Sequence, residues 1–144
     1  SEGTEHGLVV STTYQGIAQA WSNIGTIQIG VAAQSSWDGL SNSTAIVAQD
    51  GHTSSAAKLC LDWVSGAYSD WYLPSLDELS LLWHNRFNVN KTLTNISGAS
   101  LLPVAAYYWS STEVNSDFAW YFDYGFANFK SKASTYYVRA VRRF

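Results

Sequence analysis

Apolar residues in the first third of the chain are scattered rather than periodic. A short run, Gly7-Leu8-Val9-Val10, predicts an opening strand. Residues 11–52 then mix Ser, Thr, Gly, Asn and Gln with isolated apolar side chains, among them Trp21 and Trp37, and carry only two charges, Asp38 and Asp50. That pattern predicts long ordered loops with a short helix near 43–49. Helical periodicity starts later. Ala56, Ala57, Cys60, Trp63 and Val64 fall on one stripe of a helix over 54–64, with Gly66 placed to stop it. A second helix follows Pro74. Ser75-Leu76-Asp77-Glu78 has the form of a capping box, in which the Ser side chain caps a backbone N–H and the Glu three residues on caps back. Leu76, Leu79, Leu82 and Trp83 form its apolar face, and the two acids suit the positive end of the helix dipole.

From residue 104 the period changes to two. Tyr107-Tyr108-Trp109-Ser110-Ser111 predicts a strand. Phe118, Trp120 and Phe122 alternate with Ala119, Tyr121 and Asp123 in a second strand. Asp123-Tyr124-Gly125 reads as a turn, 126–130 as a third strand and 135–142 as a fourth. The predicted class is α+β: two helices packed on a small antiparallel sheet, with long loops.

With 144 residues and no repeat or linker, the chain reads as one domain spanning 1–144. It is 47% hydrophobic and 13% charged, well outside the disordered range. Seven Trp, nine Tyr and six Phe supply a firm core, and with charge so sparse some of them are expected at an interface or a sugar-facing surface. A net charge of −3 excludes a chain-wide nucleic-acid surface, and no apolar run is long enough to enter a bilayer as a span. The charge is uneven, however. Residues 1–85 hold one base and eight acids, and residues 86–144 hold seven bases and three acids. Such asymmetry fits either a local anion site or an ordinary solvated strand face. The single cysteine, Cys60, allows no intrachain disulfide and reads as a buried, inert thiol.

Four blocks then stand in a telling order: Tyr68-Ser69-Asp70-Trp71-Tyr72-Leu73-Pro74-Ser75-Leu76-Asp77-Glu78-Leu79, Trp109-Ser110-Ser111-Thr112-Glu113, Ala119-Trp120-Tyr121 and Val138-Arg139-Ala140-Val141-Arg142. Their order and spacing resemble the C-terminal domain family of Legionella collagen-like proteins. Gly7-Leu8-Val9-Val10, Ala45-Ile46-Val47 and Ala56-Ala57-Lys58-Leu59-Cys60 fit as well, so the resemblance spans nearly the whole chain. The resemblance implies a C-type-lectin-like fold at the tip of a collagen-like stalk, on the bacterial surface or secreted. It also implies a homotrimer that binds sulfated glycosaminoglycans in adhesion and biofilm aggregation. The start at Ser1 is read accordingly as a cut from something longer.

The residues themselves sharpen this expectation. Asp70 and Trp71 lie in a constrained turn before Leu73-Pro74. Arg139 and Arg142, three apart in a strand, point to opposite faces, and at least one is expected to bond a carboxylate such as Asp70 or Glu113. Asp70, Trp71, Glu113 and Arg139 are therefore assigned structural roles. His6, His52 and His84 are isolated, and the acids are not clustered as a calcium loop requires, so neither a metal nor another cofactor is expected. Ser110 and Ser111 have no neighbouring His or strained-turn glycines, and Asp77 and Glu78 serve the helix cap, so no enzyme is expected. What remains is a binding surface. Lys130 and Lys132, Arg142 and Arg143, then Lys91 and Arg86 are the candidate polyanion ligands, because guanidinium forks and ammonium charges suit sulfate and carboxylate groups. Two other functions fit the same residues. One is a receptor-binding tip anchored by Tyr107, Tyr108, Tyr121 and Tyr124. The other is a structural trimerisation cap.

Overall fold

The computed structural model describes residues 3, 5–103 and 105–144. Strand β1 (Leu8–Val10) opens the chain as predicted. The polar stretch that follows holds a strand that the pattern did not announce, β2 (Gly16–Ala20). β2 sits at a sheet edge and buries few side chains, so it carries no clear alternation. A 3-10 turn at Val31–Ala33 leads to α1 (Gly39–Val47), which begins earlier than the helix expected near 43–49. Asp38 starts it by accepting the Ser41 N–H.

α2 is Ala56–Leu61, capped by the Ser55 side chain on the Lys58 N–H. It stops well short of Gly66, which instead turns the chain at φ 59° between Ser65 and Tyr68. Val64, assigned to the buried stripe, is exposed. α3 (Leu76–His84) has the full capping box, with Ser75 and Glu78 bonding reciprocally. α4 (Arg86–Thr94) was not predicted. Its sequence is dominated by Asn, Thr and Lys, only Leu93 is buried, and no side chain caps its start.

Strands β3 (Tyr107–Glu113), β4 (Phe118–Asp123) and β5 (Phe126–Ser131) form the antiparallel meander that the alternation indicated. The expected fourth strand is two: β6 (Thr135–Val138) and β7 (Val141–Arg143). The chain changes sheets between them. β6 joins the five-stranded sheet β2-β6-β3-β4-β5, and β7 pairs with β1 in a separate two-stranded sheet. Burial of Arg139 and a bond from the Ala140 N–H to Gln15 Oε1 fix the crossing. β6 runs parallel to β3, so the larger sheet is mixed rather than wholly antiparallel.

Successive strand residues feed opposite faces of that sheet. Trp109 and Tyr121 point into one core with Trp21, Ile46 of α1, Cys60 of α2, Trp71 and Leu73. Tyr108 and Phe122 point into the other, with Leu79 and Trp83 of α3 and Leu102. Helices thus cover both faces. The two innermost tryptophans satisfy their ring N–H groups on backbone carbonyls, Trp21 on Ser110 and Trp109 on Gln19, both at 2.8 Å. Cys60 is fully buried, and burial pushes its thiol well above the usual range.

Candidate functional site

The basic residues of the last third do not form one surface cluster. Lys132 is the clearest departure from expectation. β5 ends at Ser131, and a turn closed by the Ser134 N–H on the Ser131 carbonyl swings the next side chain inward. Lys132 is 0% exposed, with Nζ 2.9 Å from Glu113 Oε2, donating to the Ile27 carbonyl and lying 5.0 Å from the Trp21 ring centre. It is a core residue and leaves the candidate binding set. Glu113 also accepts the Ile29 and Gly30 N–H groups, each at 2.9 Å, and Gln34 Nε2 at 3.2 Å. The pair therefore ties the loop around residues 27–34 to the end of β3. Two buried charges are costly, and this density of donors is what offsets the lost hydration.

Arg139 is 1% exposed and needs no carboxylate. Its Nε donates to the Ser11 carbonyl and its Nη2 to the Ser100 carbonyl, while its plane covers the Tyr14 ring at 4.7 Å. Desolvation lowers its pKa. Arg142, named among the candidate polyanion ligands, instead gives its fork to a carboxylate, one of the pairings left open between Arg139 or Arg142 and an acid such as Asp70 or Glu113. Nε and Nη2 reach the two oxygens of Asp70 at 2.6 and 2.9 Å, and the guanidinium lies 4.0 Å from the Tyr68 ring centre. That hydrogen bond holds the Asp70 carboxyl below its usual range. Trp71 is buried beside this turn, its ring N–H on the Tyr68 carbonyl.

Arg143 reaches Asp38 at 3.3 Å and Glu78 at 3.5 Å. Glu78 is more than a helix cap. Its carboxylate also accepts the Gly39 N–H at 2.8 Å and the Tyr72 hydroxyl. A side chain at position 39 would put its Cβ 2.6 Å from Glu78 Oε1 and from the Ser75 nitrogen, so only glycine fits there. Part of the uneven charge along the chain is thus neutralised in three dimensions. Asp38, Asp70 and Glu78 from the acidic half meet Arg142 and Arg143 from the basic half.

Arg86, Lys91 and Lys130 stand apart from these pairs. Among the described residues none has a carboxylate partner within ion-pair distance. Arg86 stacks 4.5 Å from the Trp83 ring centre and 4.8 Å from that of Phe87, which leaves part of its guanidinium open. Lys91 on α4 and Lys130 on the edge strand β5 are exposed.

The tyrosines also sort differently from expectation. Tyr108 is a core residue, 4% exposed, with its hydroxyl 3.3 Å from that of Tyr14, and burial raises its pKa. Tyr107, Tyr121 and Tyr124 do gather, joined by Tyr136, which the sequence did not single out. Ring centres lie 5.6 Å apart for Tyr107 and Tyr121, 6.5 Å for Tyr107 and Tyr124, and 5.2 Å for Tyr107 and Tyr136. Tyr107, Tyr124, Tyr136 and Tyr137 line an open cleft of about 380 Å³ with Ile17 and Thr135. Only the β3–β6 pairing brings Tyr136 to Tyr107, and no local signal carries that neighbourhood.

No helix among the described residues is long and apolar enough to cross a membrane. No curated protein matches the chain. The family model of the Lcl C-terminal domain matches residues 12–142. With nearly the whole chain covered, and with the Asp70-to-Glu78 and Arg139-to-Arg142 blocks that carried the resemblance forming its structural joints, this protein belongs to the Lcl C-terminal domain family.

Proposed function

We propose that this domain is the C-type-lectin-like head of a collagen-like bacterial adhesin, displayed outside the cell, assembled as a trimer and binding sulfated glycosaminoglycans without catalysing a reaction. The observation that carries this reading is the set of surface bases left without carboxylate partners among the described residues: Arg86, Lys91 and Lys130. Arg143, half-exposed and held by Asp38 at 3.3 Å and Glu78 at 3.5 Å, is the next contributor. Arg142 contributes less, because its fork is already filled by Asp70. Three weak cationic spots per protomer become nine in a trimer, and a long polyanion can engage several at once. Exposed apolar side chains on β1 and on or just after α4 support assembly. Val9, Phe87 and Ile96 are solvent-facing, and β1 and α4 frame a groove of about 410 Å³.

Heparin chromatography combined with sedimentation tests this reading. The wild-type chain on its stalk is expected to sediment as a trimer and to elute from heparin at a salt concentration that drops sharply in R86E/K91E/K130E. Unchanged elution of that variant would overturn the assignment of these residues. A receptor-binding tip is the second reading, favoured by the exposed rings of Tyr107 and Tyr124. It gives salt-tolerant binding that Tyr107→Ala abolishes.

A further inference from the structure

The tyrosine cluster surrounds a carboxylate with no counter-charge. The sheet register pairs Asp123 with Tyr107 of β3 on one side and with Phe126 of β5 on the other. Tyr121, two residues earlier on β4, shares its face of the sheet. Tyr136 lies beyond Tyr107, with ring centres 4.8 Å from Tyr121 and 5.2 Å from Tyr107. Tyr124 follows Asp123 directly, is held at φ 47° although it is not a glycine, and turns its ring edge-on to Tyr107. Four tyrosines and one phenylalanine thus flank a single acid.

Asp123 has no ion-pair partner among the described residues, and its Oδ1 is buried without accepting a hydrogen bond. A shielded carboxylate oxygen with no donor carries a standing desolvation cost. Burial raises the Asp123 pKa accordingly. Among the described residues the buried carboxylates are satisfied, Glu113 by Lys132 and backbone N–H groups, Glu78 by Gly39, Tyr72 and Ser75. Among the described residues Gln49 Oε1, Trp63 Nε1 and Arg139 Nη1 are also buried without a partner, but Asp123 is the carboxylate of that group.

The ligand chemistry follows from what surrounds this oxygen. A sulfate or carboxylate would meet a like charge. A hard divalent ion needs about six or more oxygen ligands, and Asp123 stands among aromatic rings. A weakly hydrated cation with apolar substituents satisfies both parts of the site, since its charge meets the carboxylate and its carbons lie on electron-rich ring faces. The geometry points to a binding site for a small organic ammonium ion, its charge on Asp123 and its substituents against Tyr107, Tyr124 and Tyr136 at the neighbouring cleft. This site uses none of Arg86, Lys91 or Lys130, so it stands or falls separately from polyanion binding.

Choline is the probe, and 3,3-dimethylbutan-1-ol, the same shape without charge, is the control. Choline titrated into the isotopically labelled domain is expected to give saturable shifts centred on Tyr107, Asp123, Tyr124 and Tyr136. The alcohol binds about tenfold or more weaker, a difference of the size of a partly desolvated cation–π and charge contribution. D123N loses a comparable factor and Y136A weakens binding, while Y136F retains it and heparin elution of D123N is unchanged. Equal affinity for the alcohol, wild-type affinity in D123N, or no saturable shift would each overturn the proposal. The comparison of choline with the alcohol needs only the wild-type chain, so it stands even if a variant fails to fold.

Discussion

Two carboxylates on adjacent strands of one sheet meet opposite fates. Glu113, at the end of β3, is 2% exposed and receives an ammonium, two backbone N–H groups and a side-chain amide. Asp123, at the end of β4, has a buried oxygen with no donor and a ring of tyrosines instead. The first acid holds a loop to the core, and its position is useful because nothing else can enter. The second is unfinished from within the chain, which is the condition for completing it from outside. The difference teaches that a place at the end of a core strand does not distinguish a carboxylate that the core completes from a partly exposed one that it leaves open. The inventory of partners does.

Breaking the Glu113 side gives the largest effect. Lys132→Met leaves a buried carboxylate with no counter-charge and is expected to cost about 3–5 kcal/mol in chemical denaturation. A loss below about 1 kcal/mol would show that water enters and that the pair is not sealed. Gln34→Ala removes one of several donors to the same acid, so a loss of about 1 kcal/mol is expected, with the loop still docked.

On the other side of the comparison, Asp123→Asn is expected to cost no stability at neutral pH. Its folded-state pKa is raised, so the contribution of this group to folding is present below its unfolded pKa and is lost as pH rises through the folded value. The Asn variant removes that loss, so its stability advantage over the wild type should vanish on acidification. Denaturant melts at pH 7 and pH 4 read the difference directly, and a destabilised variant at pH 7 would mean that Asp123 has an internal partner after all. Asp70 has the opposite sign and gives the smallest effect. The Arg142 fork lowers its pKa, so its stabilisation is present above its unfolded pKa and fades as pH falls through the folded one. Asp70→Asn is expected to lower stability slightly at neutral pH and to leave it unchanged at acid pH, so the acid limb flattens by that same small amount, because this pair is solvent-screened.

Much of the candidate polyanion site was legible as composition but not as geometry. Lys91 and Lys130 are exposed as their surroundings suggested. Lys132, with the same residue type two positions on, is buried, because one turn after Ser131 reverses its direction. A bond from Arg139 or Arg142 to an acid such as Asp70 or Glu113 was expected, because a half-buried guanidinium in a strand needs a partner, but only the fold selects Arg142 and Asp70. Arg139 was assigned a structural role, but its partners, two backbone carbonyls with Nη1 left unpaired, were not legible, nor was the pairing of Lys132 with Glu113. Asp123 read simply as a turn residue, since its surroundings depend on the strand order.

The amino-acid sequence by itself determined the family, the α+β class, the capping box that starts α3 and the alternation that makes β3, β4 and β5. These are short-range matters of period, cap and turn, written in neighbouring residues. Tertiary structure alone decided that β6 runs beside β3 in parallel, that 135–142 divides between two sheets, and that the weakly patterned β2 and α4 form at all. It also decided which charges cancel, because Asp38 and Arg143, or Asp70 and Arg142, are joined by folding across half of the chain or more. The physical reason is that local periodicity says which way a side chain faces. Its partner is chosen only when distant segments come within a few ångströms and exchange water for each other.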